Sequence, residues 1–124
     1  MNKLPQIAVL WLVAAMLAIV TPAHAELNLD FDLVNKTGYA IKEVYVAPSS
    51  SDDWEENILK ENLEDEETLE VSFDSDQTAK KWDLRIVFAD GSAPVYWKNY
   101  NLTEISKLTL FYNHDTDVTS AKAE

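Results

Sequence analysis

The chain has 124 residues, no cysteine, and 22 Asp+Glu against 10 Lys+Arg, a formal charge of −12. The missing cysteines exclude a disulfide scaffold, Cys-ligated zinc and a thiol nucleophile. The charge argues against nucleic acid or anionic lipid, which need Lys or Arg to neutralise phosphate, and favours a cationic partner or a divalent cation, with solubility alone as the plain alternative.

The N-terminus has the three parts of an export signal in order. Lys3 is the only charge before Glu26, Ile7 to Val20 is an uninterrupted apolar run, and Ala23-His24-Ala25 has the small-x-small pattern accepted at a cleavage site. The run is shorter than the roughly 18 to 20 residues that span a bilayer, so a cleaved signal is expected rather than an anchor. Residues 1–25 are therefore read as a cleavable signal peptide, with no membrane attachment afterwards and a periplasmic or secreted product. Cleavage removes Lys3 and no acid, so the 10 basic residues become 9 against 22 acids, and the charge moves from −12 to −13.

The remainder suits one β domain, residues 26–112, followed by a flexible tail, residues 113–124. Leu27, Leu29, Phe31 and Leu33 alternate with polar residues, as in a half-buried strand. Asn35-Lys36-Thr37-Gly38 is a turn signal, and the next strand, Tyr39 to Ala47, shifts parity near Lys42-Glu43, where a bulge is expected. These two strands are expected to form a hairpin. Asp52 to Lys60 carries a Ser cap and early acids, and predicts a short helix that lids the core with Trp54, Ile58 and Leu59. Leu69, Val71 and Phe73 predict a third strand, and Trp82, Leu84, Ile86 and Phe88 a fourth, the most regular in the chain. Asp90-Gly91 predicts a turn into Val95-Tyr96-Trp97, and Leu108, Leu110 and Tyr112 predict a last strand. The fold class is mainly β: a small antiparallel sandwich or partly open barrel of about six strands with one short helix. Trp82 and Trp97 are expected in the core.

Catalytic groups are sparse. Nucleophilic catalysis needs a base beside the nucleophile, and His114 is the one histidine left after residue 25. No catalytic motif is present, so an enzyme is not expected and no cofactor is implied, save for calcium. Calcium seeks several carboxylate and carbonyl oxygens, and the candidate ligands are Asp52, Asp53, Glu56, Asp74 and Asp76. Asp74-x-Asp76 begins like a calcium loop, but Ala79 stands where such a loop needs Gly and Arg85 where it needs Glu. A solvated acidic face is the alternative. Asn35-Lys36-Thr37 and Asn101-Leu102-Thr103 match the glycosylation sequon; Asn35 is better explained as a turn residue.

Phe31-Asp32-Leu33-Val34-Asn35-Lys36-Thr37-Gly38, Val46-Ala47-Pro48-Ser49, Trp54, Trp82-Asp83-Leu84-Arg85 and Asp90-Gly91 occur in an order that resembles small exported bacterial β-sandwich proteins. The resemblance runs from about Phe31 to Tyr112 and implies export and a β fold, without catalytic residues. Members often carry a cysteine before the Asp-x-Arg strand and another near the end; this chain has neither. The expected function is a periplasmic binding or interaction module for an envelope or cationic protein, with Trp54, Asp83 and Arg85 as candidate interaction residues. The alternatives are an inhibitor or sequestering protein for a cationic partner and a calcium-dependent structural protein. Oligomeric state is left open.

Overall fold

The computed structural model describes residues 6–10 and 27–124. Among these described residues, eight strands and one helical turn follow in order: β1 Gln6–Leu10, β2 Phe31–Lys36, β3 Ile41–Pro48, β4 Thr68–Phe73, β5 Lys81–Phe88, β6 Val95–Asn101, the 3-10 turn Leu102–Glu104, β7 Lys107–Asn113 and β8 Val118–Ala123. They form a five-stranded sheet, β1-β4-β2-β7-β8, and a three-stranded sheet, β3-β5-β6. Neither closes, so the fold is a small β-sandwich rather than a barrel. No helix among the described residues is long and apolar enough to cross a membrane.

Period-two alternation explains the core. Leu29, Phe31 and Leu33 bury one face of the first strand region, and Trp82, Leu84, Ile86 and Phe88 bury one face of β5. Leu69 and Val71 on β4 and Leu108 and Leu110 on β7 complete the opposing layer. Trp82 is fully buried, its indole N–H donating to the Ala79 carbonyl at 2.8 Å and its ring meeting Phe73 edge-on at 4.8 Å. Trp97 is partly buried against the same cluster. The expected bulge is present as a register shift between Ile41 and Glu43 in the β3–β5 ladder.

Three expectations need correction. The strands flanking Asn35-Lys36-Thr37-Gly38 do not pair as a hairpin, because β2 and β3 belong to different sheets. Ile41 instead exchanges backbone hydrogen bonds with Leu63, at 2.9 and 2.8 Å, which turns β3 out of the plane of β2. Residues 52–60 are not helical; the helical turn lies at Leu102–Glu104. Ser51 Oγ accepts from Asp53 N and Asp53 Oδ1 from Glu55 N, local bonds that compete with a helix, and Glu55 sits at φ 62. Asn57 Oδ1 then accepts from Val44 N and Leu59 N, while Ile58 N donates to the Val44 carbonyl, so the segment runs as a strap along β3. Leu59 is still buried, so the strap lids the core without being a helix.

The C-terminal residues are not a loose tail. Val118–Ala123 pairs with β7 from Leu108↔Ala123 to Asn113↔Val118, and Glu124 exchanges backbone bonds with Lys107. Most of the expected signal peptide, residues 1–25, lies outside the described residues; its segment Gln6–Leu10 is described, as strand β1. It pairs in parallel with β4 and buries Ala8 and Leu10.

Candidate functional site: an aromatic and carboxylate cup

One end of the sandwich carries a cavity of about 380 Å³, framed by the β5–β6 turn and the β7–β8 turn. Tyr39 enters from the β2–β3 corner, Phe88 from the end of β5, and Asp90, Ser92, Ala93, Pro94 and Val95 from the turn after it. Tyr112 comes from β7, Asp117 from the β7–β8 turn and Thr119 from β8. The sequence places Tyr39 there because Gly38, at φ 85, turns the chain just before it. Asp65 Oδ1 accepts from the Gly38 N–H at 2.9 Å and fixes that turn.

Tyr39 and Tyr112 meet edge to face, with ring centroids 5.5 Å apart at 84°. His114 stands against both rings, its Nδ1 3.5 Å from the Tyr39 hydroxyl and its ring edge-on to Tyr112. The Tyr112 hydroxyl donates to Asp117 Oδ1 at 2.6 Å. That bond, with smaller contributions from desolvation and neighbouring negative charge, pushes the Tyr112 phenol up to about 12. Asp90 Oδ1 accepts from Ser92 Oγ at 2.7 Å and Ser92 N at 2.9 Å, and these bonds hold its carboxyl below the usual range. Among the described residues the ion pairs are Lys42–Glu43 and Lys122–Glu124, and neither involves Asp90 or Asp117. Aromatic rings beside two carboxylates offer a cation both a ring quadrupole and a formal counter-charge.

The Tyr112–Asp117 bond makes a spectroscopic prediction. In the folded protein the phenol keeps its proton more tightly than in the unfolded chain. Its contribution to stability is therefore present below pH 10 and is lost as pH rises from about 10 to 12. Replacement Asp117→Asn removes both the carboxylate acceptor and its charge. Ultraviolet titration at tyrosinate wavelengths should show one phenol ionising earlier in D117N than in the parent chain. Superimposable titrations would show that the bond does not form in solution.

The sequence-predicted interaction residues lie elsewhere, and most of them converge. Asp52, Asp53, Trp54 and Asp83 line a smaller cleft of about 150 Å³ with Ala47, Ser51 and Lys98. Asp83 is nearly buried; its Oδ1 accepts from Ser49 Oγ at 2.7 Å and Asn99 N at 2.9 Å. Asn99 has φ 64, so Asp83 holds β6 where its register with β5 slips, between Trp82 and Leu84. Arg85 lies beyond the cleft on the outer face of the three-stranded sheet. Its guanidinium carbon is 4.9 Å from the Tyr45 ring centre and 5.8 Å from that of Tyr96, its in-register neighbours on β3 and β6. Tyr96 in turn stacks, tilted, on Trp54 at 5.9 Å. Tyr45 donates to Glu43 Oε1, and that bond above all raises the Tyr45 phenol. The row Trp54-Tyr96-Arg85-Tyr45 thus stitches the strap to all three strands, with Tyr96 half exposed.

The calcium candidates are divided. Asp52, Asp53 and Glu56 lie on the strap and Asp74 and Asp76 in the β4–β5 loop. Among the described residues no group of three or more His, Asp or Glu is placed to hold a metal ion. The cup is not legible in the sequence, because its members come from three separate segments of the chain, at Tyr39, Phe88 to Val95 and Tyr112 to Thr119. The one local hint was Asp90-Gly91, which marked a turn but not what the turn faces. Comparison with known proteins finds no family model, no curated protein and no solved structure that matches this chain.

Proposed function

We propose that this chain is an exported binding module, periplasmic or secreted, that captures a cationic group of a partner protein in the Tyr39–Tyr112 cup. The observation that supports this most is the meeting of Tyr39, Phe88 and Tyr112 with Asp90 and Asp117 around one cavity. A Lys or Arg side chain fits such a site, with the acidic surface steering its approach. The three-part N-terminus and the motifs shared with small exported β-sandwich proteins support export.

The reading is tested with tetramethylammonium and N-acetyl-lysine methylamide as probes, followed through the NMR signals of the tyrosine rings. Saturable shifts at Tyr39 and Tyr112, with Tyr45, Tyr96 and Tyr100 unmoved, are expected at millimolar probe. Equal small shifts of all five rings would reduce the effect to ionic strength and remove the reading. The export half is tested separately, by the N-terminal residue of protein recovered from the cell envelope fraction.

A further inference from the structure

Strand β1 is the one element that belongs both to the sandwich and to the segment expected to be cleaved away. Its five residues pair in parallel with β4, from Gln6↔Leu69 to Leu10↔Phe73. Ala8 and Leu10 point into the core, 5% and 2% exposed, while Ile7 and Val9 face outward at 58% and 47%. Gln6 Nε2 adds bonds to the carbonyls of Glu61 and Asn62, at 3.1 and 3.3 Å. On its other side β4 is held antiparallel by β2, so among the described residues β1 is the strand that covers its outer edge. Cleavage after Ala25 would strip that edge and leave two apolar seats in the core open. An open strand edge beside apolar seats is a template for another strand.

Resting on the export reading above, we propose that the processed protein is a strand acceptor. The β4 edge takes an extended segment of a partner polypeptide, running parallel to β4. The segment places a small apolar residue opposite Val71 and a larger one opposite Phe73, the places of Ala8 and Leu10. Its outward positions, those of Ile7 and Val9, tolerate polar residues because they face solvent. The occupant is defined by this pattern because the chain's own strand shows which side chains the edge seats.

The experiment uses protein recovered after export and a fluorescent peptide of sequence Gln6–Leu10 with Gly-Ser flanks. Saturable binding is expected, weakened at least tenfold by Leu10→Asp or Ala8→Asp in the peptide and changed less than threefold by Val9→Ser. As a second arm, full-length chain carrying Leu10→Asp should bind the native peptide, whereas the unaltered full-length chain, its edge filled, should not. An N-terminus at Met1 on the exported protein would sink the export reading, and with it the vacancy this inference needs. Correct processing with no peptide uptake, or with uptake indifferent to Leu10→Asp, would overturn the acceptor role alone. A processed protein that is dimeric and gains peptide only on dissociation would put a second copy on the edge and overturn the partner assignment.

Discussion

Asn35→Ala is expected to cost this domain on the order of 3 kcal/mol, lowering its thermal midpoint by roughly 12 °C or more. Asn35 is fully buried and uses every hydrogen-bonding position of its side chain. Nδ2 donates to the Tyr39 carbonyl at 2.8 Å and the Leu63 carbonyl at 3.0 Å. Oδ1 accepts from Thr37 N at 3.0 Å and Thr37 Oγ1 at 2.7 Å. Its backbone is engaged as well, with the N–H donating to Glu67 O and the carbonyl accepting from Glu66 N. One side chain thus ties the β2–β3 corner to the segment that leads into β4. Alanine removes four bonds and leaves the buried Thr37 N–H without its acceptor, a loss of about 1 kcal/mol or more for each unmatched group. Asn35→Asp is a sharper probe. It keeps the shape and the acceptor but loses both Nδ2 donors and brings a carboxylate into a buried site, so it should destabilise at least as much at neutral pH. Circular dichroism melts of the full chain would measure both; a midpoint within about 3 °C of the parent for Asn35→Ala would show that the corner holds without it. The same burial leaves Asn35 no room for a glycan, although it heads a sequon.

The features legible in the sequence were those set by short-range alternation. Trp82, Leu84, Ile86 and Phe88 announce β5 and its inward face, and the parity change around Lys42-Glu43 announces the bulge, because both depend only on neighbours two residues apart. The failures share a cause: each was decided by a distant partner. Asp52 to Lys60 has a helix-like cap and charge pattern, yet Val44, more than ten residues back, offers its backbone to Asn57 and Ile58 and wins. β8 has no apolar stripe to reveal it, since it is an edge strand held by its ladder to β7 with only Ala121 packed on the core. The sequence presents Asn35 as a turn residue; it lies in β2 and its side chain serves the turn by accepting from Thr37 N, but its second donor is taken by Leu63, and no local pattern shows that. Trp54, Asp83 and Arg85 stand out in the sequence through the Pro-Ser…Trp and Asp-x-Arg motifs to which they belong. Trp54 and Asp83 do share a cleft, but Arg85 reaches it only through Tyr96, and Asp83 is committed to Ser49 and Asn99. The cup needed tertiary structure outright, for Tyr39 and Asp117 come together only when both sheets are assembled.

If the cup captures cations, the double replacement Asp90→Asn with Asp117→Asn should weaken binding of a basic partner, such as a lysozyme-type hydrolase, by about tenfold. Both carboxylates are exposed, so solvent and salt screen each pairing and either replacement alone has a modest effect. The difficulty is that an acidic chain attracts any basic protein, so lost charge alone would weaken binding somewhat. Asp74→Asn with Asp76→Asn supplies the control. It removes the same two charges from the β4–β5 loop, where neither residue lines the cup, and should weaken binding less than about threefold, since charges beyond roughly 8 Å are screened at physiological salt. A ring test separates electrostatics from shape. Tyr112→Ala removes one aromatic wall and the edge contact to Tyr39, and should weaken binding more than Tyr112→Phe, which keeps the wall and loses only the bond to Asp117. Acid gives an independent handle. Binding needs ionised carboxylates, so it falls as they protonate. Ser92 donates two bonds to Asp90 and keeps it charged to lower pH, one of them from its side chain. Ser92→Ala deletes that side-chain bond, raises the Asp90 pKa, and should move the acid limb of binding to higher pH. Equal weakening by the two double replacements, with an acid limb that Ser92→Ala leaves in place, would mean that the surface as a whole attracts the partner and that the cup has no part in it.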